Sequence, residues 1–236
     1  MIRFRNVRVL GDVAGATPAP PILSVPELEL SEDRISVIGA NGSGKSTLLK
    51  LINGLVVPDE GAVDVDGLGT ASDAAAVRRR VAFVFTDPLS QLVMPTPLED
   101  AELSLRRKYR KRSERRAAAL SLLQDFGLAH LADQSIYQLS GGERQLAALA
   151  SVLAVDPAVL VLDEPSTLLD LRNTMLLRGR LAALPQQLVT ATHDLELAQD
   201  SVRTLVVDGG RIVYDGEPAA AVSFYRELSA HVAGSG

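Results

Sequence analysis

The chain has 236 residues, of which 47% are hydrophobic and 22% charged, with a net charge of −5. That length supports one substantial core, and the composition is too ordinary for a disordered or fibrous protein. Cysteine is absent, which excludes disulfides, thiolate metal sites and a cysteine nucleophile. No run of 18 apolar residues points to a membrane span, Met1-Ile2-Arg3-Phe4-Arg5 carries no apolar signal core, and the acidic balance argues against a general nucleic-acid binder.

Residues 2–10 alternate and predict an edge strand. Residues 17–26, with four prolines, predict a turn or irregular link. Ile35-Ser36-Val37-Ile38 is a short apolar run that ends in a glycine-rich turn, and helical spacing resumes at Thr47, Leu48, Leu49, Leu51 and Ile52. This reads as strand, loop, helix. Residues 81–85 predict a buried strand. Residues 98–126 are helical with a break at 111–113, and Gly127 is placed to cap the end. A helix over 142–154 leads to the apolar strand 159–162. Then follow a helix over 168–184, a strand over 188–192, a helix from Asp194, two short strands near Leu205 and Ile212, and a helix from Pro218. Gly234-Ser235-Gly236 is expected to fray. Strands alternating with helices predict an α/β fold with a mostly parallel sheet.

Charge is uneven along the chain. Residues 106–116 (RRKYRKRSERR) hold eight Lys/Arg and one Glu, a net of +7, so the remainder carries −12. Two readings stand here: a solvated helical face, or a patch for anionic head groups or an acidic partner.

The strongest motif is Gly39-Ala40-Asn41-Gly42-Ser43-Gly44-Lys45-Ser46, which fits the phosphate-binding pattern G-x-x-x-x-G-K-[ST]. Glycines let backbone N–H groups turn inward around a polyphosphate, and the following helix points its positive end at the same anion. Asn41, Gly42, Ser43, Gly44, Lys45, Ser46 and Thr47 are therefore the expected nucleotide contacts, with Lys45 on the β- and γ-phosphates and Ser46 on Mg²⁺. Val159-Leu160-Val161-Leu162 places Asp163 at the carboxyl end of a buried strand, as a second Mg²⁺ carboxylate. Glu164, next in sequence, is the candidate general base.

Between these motifs stands Leu139-Ser140-Gly141-Gly142-Glu143-Arg144-Gln145. Here the chain resembles the ATP-binding-cassette (ABC) family, whose signature is LSGGQ or a close variant. The resemblance covers nearly the whole chain, in family order. It implies a P-loop ATPase fold: a RecA-like mixed or parallel sheet core, an N-terminal antiparallel β subdomain, and a helical subdomain over about 88–150, all within one domain of 1–236. It implies that Ser140, Gly141 and Gly142 grip the γ-phosphate held by a second subunit, so that two ATPs are sandwiched head to tail. Asp170, in Ser166-Thr167-Leu168-Leu169-Asp170, matches the family's D-loop acid. His193 matches the switch histidine that contacts γ-phosphate and orients water.

Two positions depart from the family. Thr86 stands where a glutamine usually touches Mg²⁺, and its shorter side chain cannot span the same gap. Gly11 stands where an aromatic usually stacks on adenine, which leaves base contact to residues 12–20 or to none. Within the family, Phe85-x-Asp87-Pro88-x-x-Gln91-Leu92, then Pro95, Thr96, Glu99 and Asp100, resembles the ATPases of energy-coupling-factor (ECF) importers. That resemblance implies a transmembrane scaffold subunit gripped by the 85–100 stretch, a substrate-binding membrane subunit, a second ATPase copy or homologue, and a place on the cytoplasmic face of the membrane. The single short cassette resembles dedicated biotin systems, with cobalt or nickel systems next. A soluble ATP-dependent switch on a protein or nucleic-acid partner is the other reading, though no nucleic acid is expected.

Overall fold

The computed structural model describes residues 1–11 and 21–233. In chain order the elements are β1 (Ile2–Leu10), β2 (Pro21–Leu30), β3 (Arg34–Ile38), α1 (Lys45–Ile52), β4 (Glu60–Val65), β5 (Leu68–Gly69), α2 (Ala74–Arg80), β6 (Val81–Val84), α3 (Pro97–Ser104), α4 (Arg112–Asp125), α5 (Gly141–Leu153), β7 (Val159–Asp163), α6 (Leu171–Ala183), β8 (Gln187–Ala191), α7 (Leu195–Gln199), β9 (Arg203–Asp208), β10 (Arg211–Gly216) and α8 (Pro218–Ala233). They divide into two compact units. A sheet unit comprises Met1–Val81, Val159–Glu164 and Gln186–Gly236, and a helical unit comprises Ala82–Ala158 and Pro165–Pro185.

The sheet unit contains two sheets. Five strands run in the order β10-β9-β3-β8-β7. β9, β3, β8 and β7 are parallel, and β10 turns back antiparallel on β9. β3, β7 and β8 are buried along almost their whole length, which is why their sequences do not alternate between apolar and exposed polar residues. The second sheet, β2-β1-β4-β5, is antiparallel throughout.

Two expectations for this second sheet fail. β1 pairs with both β2 and β4, so it is an inner strand and not an edge. Its alternation reports one buried face, and an inner strand of a half-covered antiparallel sheet shows the same pattern. Asn6, at φ 48°, shifts the phase, so Ile2 and Phe4 are buried before it and Val7 and Val9 after it. The edge is β2, which begins at Pro21 inside the stretch expected to be irregular; Pro26 lies between the paired residues Val25 and Glu27, and an edge strand tolerates a missing N–H. Residues 17–20 of that stretch lie outside the described residues, as do residues 12–20, named for base contact, and Gly234-Ser235-Gly236. β4, β5 and α2 are not among the expected elements: β4 buries only its last three residues and α2 buries Val77 alone, although Asp66-Gly67, both at positive φ, is a legible hairpin turn between β4 and β5.

The helical unit packs α3, α4 and α5 around Leu98, Ala101, Leu105, Leu123, Leu146 and Ala147. The break after α3 falls earlier than expected: a 3-10 turn over Leu105–Arg107 ends the first helix, and α4 is already under way at Arg112. Gly127, at φ 72°, does close α4. Its N–H reaches Gln124 O and the N–H of Leu128 reaches Leu123 O, with both leucines in the core.

Candidate nucleotide site

β3 delivers the chain into the glycine loop, and α1 receives it. Gly39 sits at φ 151°, where a Cβ would lie 2.1 Å from Val207 O, so no other residue fits without moving β9. Gly44 caps α1 with no side chain to contribute, which leaves the N–H groups of Lys45, Ser46 and Thr47 without helical partners. The buried Ser43 hydroxyl also has no hydrogen-bond partner among the described residues. Unpaired donors around a glycine turn form an anion cradle. Asn41 and Gly42 lie exposed on its outer turn.

Lys45 is 6% exposed. Its Nζ donates to the loop's own carbonyls, Gly39 O at 2.8 Å and Ala40 O at 3.0 Å, and lies 4.0 Å from Glu164 Oε1. Burial pulls its pKa below the ordinary lysine value, partly opposed by the charges of Glu164 and Asp163. Asp163, at the end of β7, is 5% exposed. Its carboxyl is pushed up by burial and partly restored by the Ser46 hydroxyl, which donates to Oδ1 at 3.0 Å.

Glu164 follows in a left-handed conformation, φ 53°, a sparsely populated state for a non-glycine residue. Its N–H donates to Ala191 O at 2.9 Å, which fixes it against the end of β8. Just beyond β8, His193 holds the carboxylate twice. The backbone N–H donates to Oε2 at 3.1 Å, and ring Nδ1 hydrogen-bonds the same oxygen at 2.6 Å. Oε1 is left on the Lys45 side. Asp194 then caps α7 through the N–H groups of Glu196 and Leu197. The sheet unit thus brings together the loop 39–47, Asp163, Glu164 and His193, residues spread over more than 150 positions of sequence.

The helical unit assembles a second set. Ser140 caps α5: its hydroxyl accepts the Glu143 N–H at 3.3 Å, and the Glu143 carboxylate accepts the Ser140 N–H at 2.7 Å. These hydrogen bonds hold the Glu143 carboxyl below the usual glutamate range. Ser-x-x-Glu before a helix is a legible cap, and Glu143 is its acidic member. The following glycines are packed against the loop that leads into α6. A Cβ on Gly141 would lie 3.2 Å from Leu168 O, and one on Gly142 would lie 3.0 Å from Asn173 Nδ2. Asn173 in turn donates its N–H to Asp170, the cap of α6, at 2.8 Å. Ser140-Gly141-Gly142 and Asp170 therefore form one packed corner, and Asn173, unnoticed in the sequence, is its hinge pin.

The 85–100 stretch is built largely from its own polar side chains. Gln91 accepts the Phe85 N–H at 3.3 Å and donates to Ala148 O at 3.1 Å. Thr96 caps α3 with Glu99 as its partner, and buried Asp100 accepts the N–H groups of Val93 and Met94 at 2.9 and 3.1 Å. With these polar groups spent internally, Val93 is left 70% exposed and Leu89 36%. Thr86, half-buried, belongs to this unit.

A glycine loop between a buried strand and a helix, with a strand-end carboxylate beside its serine, defines a P-loop nucleotide-binding fold of the α/β class. Residues 26–167 match the ABC transporter family. The chain is 43% identical over 203 residues to the biotin transport ATP-binding protein BioM of Rhizobium etli, covering 86% of this chain and 90% of that one. It is 34% identical over 207 residues to the energy-coupling factor transporter ATP-binding protein EcfA1 of Halalkalibacterium halodurans, covering 85% and 73%. Among solved structures, the ATP-binding cassette MJ0796, in a dimeric post-hydrolysis state bound to ADP and Pi, matches with a TM-score of 0.84 and 29% identity over 92% of this chain and 99% of that one. The chain belongs to the ABC transporter family, as an ATP-hydrolysing subunit.

Proposed function

We propose that this chain is the energy-coupling ATPase of an ECF-type importer for a micronutrient, with biotin the leading substrate and cobalt or nickel next. The 43% identity to a biotin transport ATPase over most of both chains carries this reading. The apolar Leu89 and Val93, exposed above a polar-braced loop, supply a seat for the helices of a transmembrane scaffold subunit, with a substrate-binding membrane subunit beside it. In this reading the chain works on the cytoplasmic face of the membrane.

The site residues take the following roles. Asn41 to Thr47 wrap the phosphates, and Lys45 exchanges the Gly39 and Ala40 carbonyls for β- and γ-phosphate oxygens. The Ser46 hydroxyl and Asp163 carboxylate, 3.0 Å apart, are hard oxygen donors that fit Mg²⁺. Among the described residues no group of three or more His, Asp or Glu could cage a metal, and an ion held jointly by phosphates and water needs none. An Mg²⁺ held there would supply neutralisation of the phosphate charge. Thr86, at the position where the family has its glutamine, is assigned to a water or metal contact. Glu164 accepts the proton of the attacking water through Oε1, since His193 occupies Oε2, and His193 turns its remaining ring nitrogen to the γ-phosphate. Ser140, Gly141, Gly142 and Asp170 complete the site of a second ATPase copy or homologue. The exposed Leu168, Leu171 and Met175 beside Asp170 give that copy an apolar footing. Closure draws its energy from contacts that exist only with γ-phosphate present.

The test is a pull-down of the tagged protein from detergent-solubilised native membranes, with companions identified by mass spectrometry. A multi-span scaffold and a small hydrophobic subunit are expected. Soluble companions alone would leave the ATPase standing and replace the importer with a soluble switch.

A further inference from the structure

The turn joining α3 to α4 concentrates the positive charge of the chain. Arg106, Arg107, Lys108, Arg110, Lys111 and Arg112 are all exposed, on consecutive or near-consecutive positions. Some of the run is absorbed by the fold. Arg116 pairs with Glu102 and Asp133, Arg115 donates to Tyr109 O, and Lys111 pairs with Glu114. Arg106, Arg107, Arg110 and Arg112 have no hydrogen bond or ion pair among the described residues. The turn is nevertheless held in place, because Tyr109 packs against the helical core and donates its N–H to Leu105 O.

Among the described residues, the guanidiniums of Arg106, Arg107, Arg110 and Arg112 form no contact that stabilises the fold. α4 opens with Arg112, a cation at the positive end of a helix, its cap position, Lys111, makes no side-chain cap, and the one acid of the first turn, Glu114, is paired with Lys111. The cation and the missing cap weaken a helix start. Four unneutralised guanidiniums on a pinned turn, on a chain whose remainder carries −12, make a strongly polar molecule that an anionic plane would orient. Guanidinium binds phosphodiesters well.

We propose that the 106–112 turn is a contact site for the anionic phospholipid head groups of the membrane surface. The proposal rests on the importer reading only for where the contact is used, since the chemistry needs no partner subunit. A single compact cationic turn on an otherwise acidic chain fits an anionic lipid plane met at one point, whereas nucleic-acid binding draws on basic contacts spread along a strand.

The experiment is co-sedimentation of the full chain with vesicles of phosphatidylcholine, with and without about one-third phosphatidylglycerol, in low and high salt, where screening separates electrostatic from apolar binding. Binding to the phosphatidylglycerol vesicles alone, lost in high salt, is expected. The combined variant Arg106→Gln, Arg107→Gln, Arg110→Gln, Arg112→Gln should lower that partition by about tenfold or more, since each basic side chain near an anionic surface contributes roughly a factor of five. Its ATPase rate in solution should not change, and the matching four-lysine variant should retain most of the binding. Equal wild-type binding to both vesicle types, or equal binding of wild type and the glutamine variant, would overturn the proposal. So would variant-sensitive capture of single-stranded RNA without vesicle binding. The vesicles hold no scaffold protein, so a failed membrane pull-down and a failed vesicle assay are separate results.

Discussion

Lys45 and Asp163 in the sheet unit are nearly sealed from water, whereas Ser140 and Asp170 in the helical unit lie in the open as helix caps. The two units hold their functional groups by different physical means. In the sheet unit, close backbone approach at Gly39, the left-handed Glu164 and burial of charge fix each group and shift the pKa values of Lys45 and Asp163. In the helical unit the groups are oriented by caps and by glycines packed against Leu168 and Asn173, at little electrostatic cost. Chemistry on a polyphosphate needs preorganised, water-poor charge. In the proposed function the helical unit engages and releases a second subunit, which calls for exposed donors that stay satisfied when the partner is absent.

This contrast can be broken most severely at Glu164. Glu164→Gln should keep ATP binding and lower hydrolysis by about 10²–10⁴-fold, the usual range for loss of a positioned base. The variant should also run as a dimer on size exclusion with ATP. A monomeric variant with full turnover would remove both the base and the sandwich from the account.

A core lesion tests how far the units differ in stability. Leu123→Ala, fully buried in the helical unit, should cost about 2–5 kcal/mol there. Hydrogen exchange should show it in α4 and α5, while ATP affinity, which the proposed roles place on the sheet unit, stays within about twofold if the units open separately. Equal loss of nucleotide binding would show that they unfold as one.

The smallest effects belong to the cap. Ser140→Ala should cost about 1 kcal/mol in helix stability and also slow hydrolysis, whereas a cap with no nucleotide role would affect melting alone. Glu143 adds a pH signature. Its folded pKa is lowered, first by the Ser140 N–H, so its contribution is complete above the ordinary glutamate value of 4.5 and is lost as pH falls through the lower folded value. Glu143→Gln should flatten that acid limb of a thermal melting series.

The members of the candidate site were legible in the sequence because they sit in contiguous motifs whose local geometry is set by neighbours. A glycine loop followed by helical spacing, and four apolar residues ending at Asp163, specify a strand end and a phosphate cradle without long-range information. β7, β8 and α5 were legible for the same reason. Gly127 was readable because a helix end needs one particular backbone conformation, and glycine adopts it freely.

Tertiary structure decided what depends on partners distant in sequence. Alternation in β1 reports a buried face but not the number of neighbouring strands, so its inner place followed only from pairing with both Pro21–Leu30 and Glu60–Val65. The prolines of β2 resemble a link until an edge makes their missing N–H harmless. The double hold of His193 on one oxygen of Glu164, and the packing of Gly142 against Asn173, join residues 29 and 31 positions apart. Motif spacing names the participants in such contacts, but which oxygen is held and which stays free depends on where the ends of β7 and β8 lie in the folded sheet.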